Sequence, residues 1–188
     1  MVNEITVKGL FILQTLKILE DKFPTETKEI QEKLQLTNIQ PLNEYPVRYQ
    51  VDLEAAGVKL LFPNLGDEGY VEFGKLSFHS FASNLVGKIL LTLAGKSIKT
   101  LLLSSPRFWG AMTKGLDIET KELSENAVSI RFHNNPYTMQ GLKGLFMEGL
   151  QYFKINGTVE GKIFSQNDHE YIISWNKNTP VISIPEKE

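Results

Sequence analysis

The stretch over residues 134–175 constrains this chain most, because an apolar helical pattern studded with glycines stands there between two pairs of strand-like segments. Met139, Leu142, Phe146, Leu150 and Phe153 recur at steps of three and four, so one stripe of a helix over 137–153 is apolar and must be covered. Gly141, Gly144 and Gly149 fall within the same helix. Each costs roughly 1 kcal/mol against Ala there, which is tolerable where a side chain would block a close approach. Close packing on a sheet is the approach expected. Residues 158–164 and 171–175 read as strands about the turn-forming Gln166-Asn167-Asp168, and should pair as a hairpin after an Asn156-Gly157 turn.

Residues 118–123 and 127–132 form a second pair about Ser124-Glu125-Asn126, giving a strand-strand-helix-strand-strand unit. What precedes it is helical. Over residues 5–20, Val7, Leu10, Phe11, Leu13, Leu16 and Leu19 share one helical face, and Phe23-Pro24 stops the element. Thr25 or Thr27 can cap a short helix to Leu34, and residues 38–43 read as loop. A third helix is expected from Pro46 to Leu61, closed by Pro63. Asp67 can cap another short helix, a long apolar-striped one runs over 78–93 to Gly95, and residues 97–113 continue as helix bent at Pro106, exposing Arg107 and Trp109. The fold class is therefore α+β: a helical part over about 5–115 and an antiparallel sheet part over about 116–175, covered by a helix. Residues 1–175 are expected to make one domain. Residues 176–188 are expected to form a frayed tail, although 181–184 could add an edge strand.

Composition narrows the function classes. With 188 residues and 41% hydrophobic content the chain can build a sizeable core. Its 20 Lys+Arg against 22 Asp+Glu lack the basic excess that binds nucleic acid. The absence of cysteine excludes disulfides, thiolate nucleophiles and Cys-ligated metal centres. No basic leader precedes an apolar run and no segment reaches 18 uninterrupted apolar residues, so a soluble cytoplasmic protein without a membrane span is expected.

Catalytic patterns are missing. His79, His133 and His169 are too far apart for a helical metal pair; His79 reads as a packed or capping residue, and the other two as solvated turn residues. Gly87-Lys88 and Gly95-Lys96 lack the upstream glycine of a phosphate loop, and no serine sits in a nucleophile elbow. No enzyme, metal or cofactor is expected. Arginine is scarce, and its planar fork suits carboxylate or phosphate. The candidate ligand-binding residues are Arg48, Arg107, Trp109, Ser129 and Arg131. In strand 127–132, Val128, Ile130 and Phe132 make the apolar face and leave Ser129 and Arg131 on the other. That pair is either a solvent face or part of a site between sheet and helical half, holding an anionic group of a largely apolar ligand.

Val7-Lys8-Gly9-Leu10, Tyr45-Pro46-Val47, residues 65–74, Pro136-Tyr137 with Gly141 and Gly149, and the closing Trp175 together resemble a family of unknown function best known from myxobacteria. That family is distantly similar to the heme nitric-oxide-binding and 4-vinyl-reductase domains, an assemblage of small-molecule sensors and dimeric scaffolds. Its heme-binding branch carries a proximal His on a helix and a Tyr-x-Ser-x-Arg motif on a later strand. Here Ala127-Val128-Ser129-Ile130-Arg131 keeps Ser and Arg but has Ala for Tyr, and residues 97–103 contain no His. The resemblance thus implies the fold and a non-enzymatic module for a small apolar or amphipathic molecule, without heme. The alternative is a dimeric interaction domain without a metabolite. A homodimer is expected under either reading.

Overall fold

In chain order the structure, a computed structural model that describes residues 4–93 and 97–176, begins with β1 (Thr6–Lys8), α1 (Gly9–Glu20), α2 (Pro24–Lys33), β2 (Glu44–Pro46) and α3 (Arg48–Leu61). Helices α4 (Asp67–Ser83), α5 (Leu85–Leu93), α6 (Ile98–Leu103) and α7 (Ser105–Met112) follow. The remainder is β3 (Thr113–Lys114), β4 (Asp117–Ser124), β5 (Ala127–His133), α8 (Met139–Tyr152), β6 (Gly157–Ser165) and β7 (Asp168–Trp175). The class is α+β, as expected.

The four-stranded antiparallel sheet has the order β4-β5-β7-β6, so both expected hairpins form and join through β5 and β7. Strand alternation sets its inner face: Val128, Ile130, Phe132, Tyr171 and Ile173 are fully buried. They share one hydrophobic cluster with Ile12 and Leu16 of α1, Leu53 of α3 and Phe146 of α8, which joins helices to sheet. A small second sheet, β2-β1-β3, was not expected. Val7 belongs to this sheet, opposite Tyr45 and Thr113, rather than to the first helix.

The helical half differs from expectation at its punctuation. Pro24 occupies the first turn of α2, no side chain caps that helix, and the Thr27 hydroxyl instead donates to the Phe23 carbonyl. Pro46 ends β2 rather than starting α3. The short helix expected after Asp67 and the first part of the one expected over 78–93 form one continuous α4 that ends at Ser83, the remainder being the separate α5; α4 begins after Gly66, whose φ of 52° glycine adopts freely. Pro106 sits in the first turn of α7 and so starts a helix instead of bending one. The possible strand over 181–184 and the stop at Gly95 lie outside the described residues.

Helix α8 starts where the Thr138 side chain accepts from the Gly141 N–H. Its glycines face helices rather than a sheet: Gly144 and Gly149 face α4, and Gly141 faces Glu54 of α3. A Cβ on Gly144 would strike the Val71 carbonyl, and one on Gly74 would strike that of Gly141, so the two helices touch backbone to backbone. Val71, Gly74 and Phe78 form a line along α4 that meets Gly144, Gly141 and Gly149 respectively. No helix among the described residues is long and apolar enough to cross a membrane.

Candidate functional site

The close α4–α8 crossing leaves space on its flank. A cavity of about 190 Å³ lies there, walled by α1, α3, α4, α7 and α8, with Leu91, Ile98 and Leu102 along a further side. Its wall is predominantly apolar and aromatic. Phe11 and Phe81 stack at 6.0 Å between centroids, and Trp109 sits edge-on to Phe132 at 5.4 Å and tilted against Tyr137 at 5.9 Å. Among the described residues, no lysine, arginine, histidine or cysteine lines it.

One end of the cavity is polar. Gln14 and Thr15 of α1 and Gln50 and Glu54 of α3 all contribute to the wall. Gln50 Nε2 donates to Thr15 Oγ1 at 2.8 Å, which ties the two helices. Gln50 Oε1 and Gln14 Nε2 are buried without a hydrogen-bond partner. Leaving such groups unpaired costs about 1–3 kcal/mol each, and both belong to side chains of the cavity wall. Glu54, one helical turn beyond Gln50, accepts from Thr138 Oγ1 at 3.0 Å and is matched by no cation among the described residues. Burial pushes its carboxyl up to about 7, and the Thr138 hydrogen bond pulls the other way. Burial likewise raises Tyr137, whose hydroxyl lies 3.4 Å from Thr113 Oγ1, so the phenol stays protonated.

Tyr137 is placed by the turn before α8. Asn134 adopts φ 52°, and the fully buried Asn135 accepts the Tyr137 N–H and contacts His169 Nδ1 at 3.3 Å. His169 is therefore a buried structural residue rather than a solvated turn residue, and burial holds its imidazole below the usual range. His133 is also partly buried, between Glu119 and Asp168, while His79 is exposed on α4 instead of packed.

Of the sequence candidates only Trp109 lines the cavity, on a helix face expected to be exposed. Ser129 and Arg131 point to the opposite side of the sheet. There Ser129 Oγ donates to Glu170 at 2.6 Å, and Arg131 makes a two-point contact with Asp168, at 3.1 and 2.8 Å, beneath the Phe164 ring. Asp168 holds the guanidinium and is itself held below the usual carboxylate range by it. The expected anion site between sheet and helices is therefore not assembled from this pair: strand alternation and ready acidic partners on β7 turn it outward. Arg48 and Arg107 are exposed on α3 and α7, and neither reaches the cavity. Gln14, Gln50 and Glu54 were missed. Their signal was present, since Gln14 follows Phe11 by three positions and Glu54 precedes Val58 by four, which puts polar groups on apolar stripes.

Comparison with known proteins places this geometry in context. A family model described as protein of unknown function (DUF2378) matches residues 1–176, and the chain belongs to that family. A search of curated proteins finds no match. Solved structures share the fold at low identity. The F78L variant of Tt H-NOX is 16% identical with a TM-score of 0.69, covering 96% of this chain and 100% of its own. The Fe(II) unliganded H-NOX protein from K. algicida is 14% identical with a TM-score of 0.61, at 91% and 97% coverage. A further structure, described by modulation of heme redox potential through protein-induced porphyrin distortion, is 15% identical with a TM-score of 0.66, at 90% and 99% coverage.

Proposed function

We propose that this protein is a non-enzymatic module that binds a small, largely apolar molecule in the cavity between α1, α3, α4, α7 and α8. The observation that carries this reading is an aromatic-lined space of about 190 Å³ whose wall includes Gln14 and Gln50, each with a buried, unpaired amide atom. A cavity of ~150 Å³ lined by Leu, Ile and Phe stays dry and takes benzene, so this one suits a guest of about one ring. The likeness to H-NOX structures supports a fold of the ligand-binding, sensory kind.

Heme, named for one of those structures, does not fit the residues present. Stable ligation requires an axial donor on iron. Among the described residues the wall offers no imidazole or thiolate, its phenol Tyr137 is held protonated, and the single carboxyl there, Glu54, is bound to the Thr138 cap. Ser129 and Arg131, the residues resembling a propionate clamp, lie on the far face of the sheet in partnership with acids.

The test uses ethylbenzene as an apolar probe with calorimetry and thermal melting. Saturable binding at one molecule per chain, with a rise in Tm, is expected. Ser77→Phe, which puts a ring into the cavity from α4, should abolish binding and leave a folded protein. No binding to the parent, or equal binding in Ser77→Phe, overturns the reading.

A second reading, a dimeric interaction domain, is favoured by Leu85, Val86 and Ile89, which expose an apolar flank of α5 at 73%, 42% and 50%.

A further inference from the structure

The polar end of the cavity carries information about which guest belongs there. Gln14 Nε2 is a free donor, and the free end of Gln50 is an acceptor because its other end is engaged with Thr15. The two residues stand on helices that this same Thr15 bond holds together. A ligand group that both accepts and donates can satisfy the two at once, whichever way either amide is turned. Charge restricts the choice further. Among the described residues no cation lines the wall, so an anion entering it would be desolvated without a partner there and would meet the Glu54 carboxyl. A cation would find Glu54 already bound to Thr138 and pressed against Gly141, where even a Cβ has no room.

Resting on the cavity reading above, we infer that the ligand is an uncharged molecule of about one ring bearing a single donor–acceptor group, of the primary amide or phenol class, held by Gln14 and Gln50. The apolar body lies among Phe11, Phe78, Phe81 and Phe146, and the polar head reaches the amides.

The experiment compares near-isosteric probes by calorimetry on the full chain: benzamide, benzoate, benzylamine and ethylbenzene. Benzamide is expected to bind at least about tenfold more tightly than benzoate or benzylamine, the ratio expected for one satisfied buried hydrogen bond. Gln14→Leu and Gln50→Leu should each weaken benzamide by about tenfold while leaving ethylbenzene within about twofold, because they remove only the polar contact. The ethylbenzene arm also shows that each variant keeps its cavity, and the less drastic Gln14→Met and Gln50→Met should behave in the same way. Ethylbenzene binding without benzamide binding overturns the ligand class and leaves the cavity reading standing. Tightest binding by benzylamine overturns the class in favour of recognition by Glu54, and equal loss of benzamide and ethylbenzene in the variants reduces the glutamines to structural residues. Failure of every probe on the parent overturns both readings.

Discussion

Replacing Gly144 by alanine should lower Tm by about 4–8 °C. A methyl group at that position lands on the Val71 carbonyl of α4, a backbone atom that cannot swing aside as a side chain would. A clash with backbone belongs at the upper end of the usual overpacking cost, about 3 kcal/mol. The gain in helix propensity returns roughly 1 kcal/mol, and each kcal/mol of net loss moves Tm by about 2–4 °C in a chain of this size. Gly144→Leu should be at least as damaging. Gly110 supplies the control, since a Cβ added there meets nothing within 4 Å. Gly110→Ala, within α7, should leave Tm unchanged or raise it by about 1–4 °C, the effect of the roughly 0.4–1 kcal/mol that an unstrained Gly→Ala change contributes. A Gly144→Ala protein melting within about a degree of the parent would mean that α4 and α8 are not in backbone contact. The cavity beside that crossing would then have a different shape.

Glu54 should make stability depend on pH with an unusual sign. Its folded pKa is raised from 4.5 to about 7, chiefly by burial, so between those values the folded chain holds a proton that the unfolded chain has released. Stability contributed by that proton is complete below about pH 4.5 and is lost as pH rises through 7. The difference converts to about 3 kcal/mol between pH 4 and 8 at ~1.4 kcal/mol per pH unit. Comparison with Glu54→Gln isolates it, because that variant cannot titrate at this position and keeps an oxygen for Thr138. Carboxylates held low in the fold, Glu44 by Lys114 and Lys8 and Asp168 by Arg131, work in the opposite direction at acid pH but are common to both proteins. Tyr70, Tyr137 and Tyr171 are all raised and stay neutral throughout the window. The Tm of the parent minus that of Glu54→Gln should therefore fall by about 6–12 °C from pH 4 to 8. A difference that stays level would place Glu54 in contact with water rather than on the cavity wall.

The sheet and α8 could be read from the sequence because their signals are local. Alternation in 127–132 and 171–175, with Asn126 and Asn167 in the turns between strands, carries its own register. The three-residue strands β1 and β2 offer no such pattern, and Val7 fits a helical stripe as well as a strand. Glycines at 141, 144 and 149 announced a close neighbour, but a missing side chain does not say which element approaches; that it is α4 depends on packing between residues some seventy positions apart. The outward face of Ser129 and Arg131 was likewise readable, whereas their partners Glu170 and Asp168 follow only from the β5–β7 register. The cavity end was hidden for a different reason. Gln14, Gln50 and Glu54 are ordinary solvent-facing residue types, and only their positions on buried stripes mark them out.

Native mass spectrometry of the freshly purified protein, before and after addition of hemin, tests the central claim most directly, because it reports bound mass and subunit number together. The account predicts a small organic adduct, at one per chain, on the purified protein or after addition of benzamide, and no stoichiometric heme complex after hemin. Heme retained at one per chain would contradict it, since a donor to iron would then exist where the cavity wall provides none.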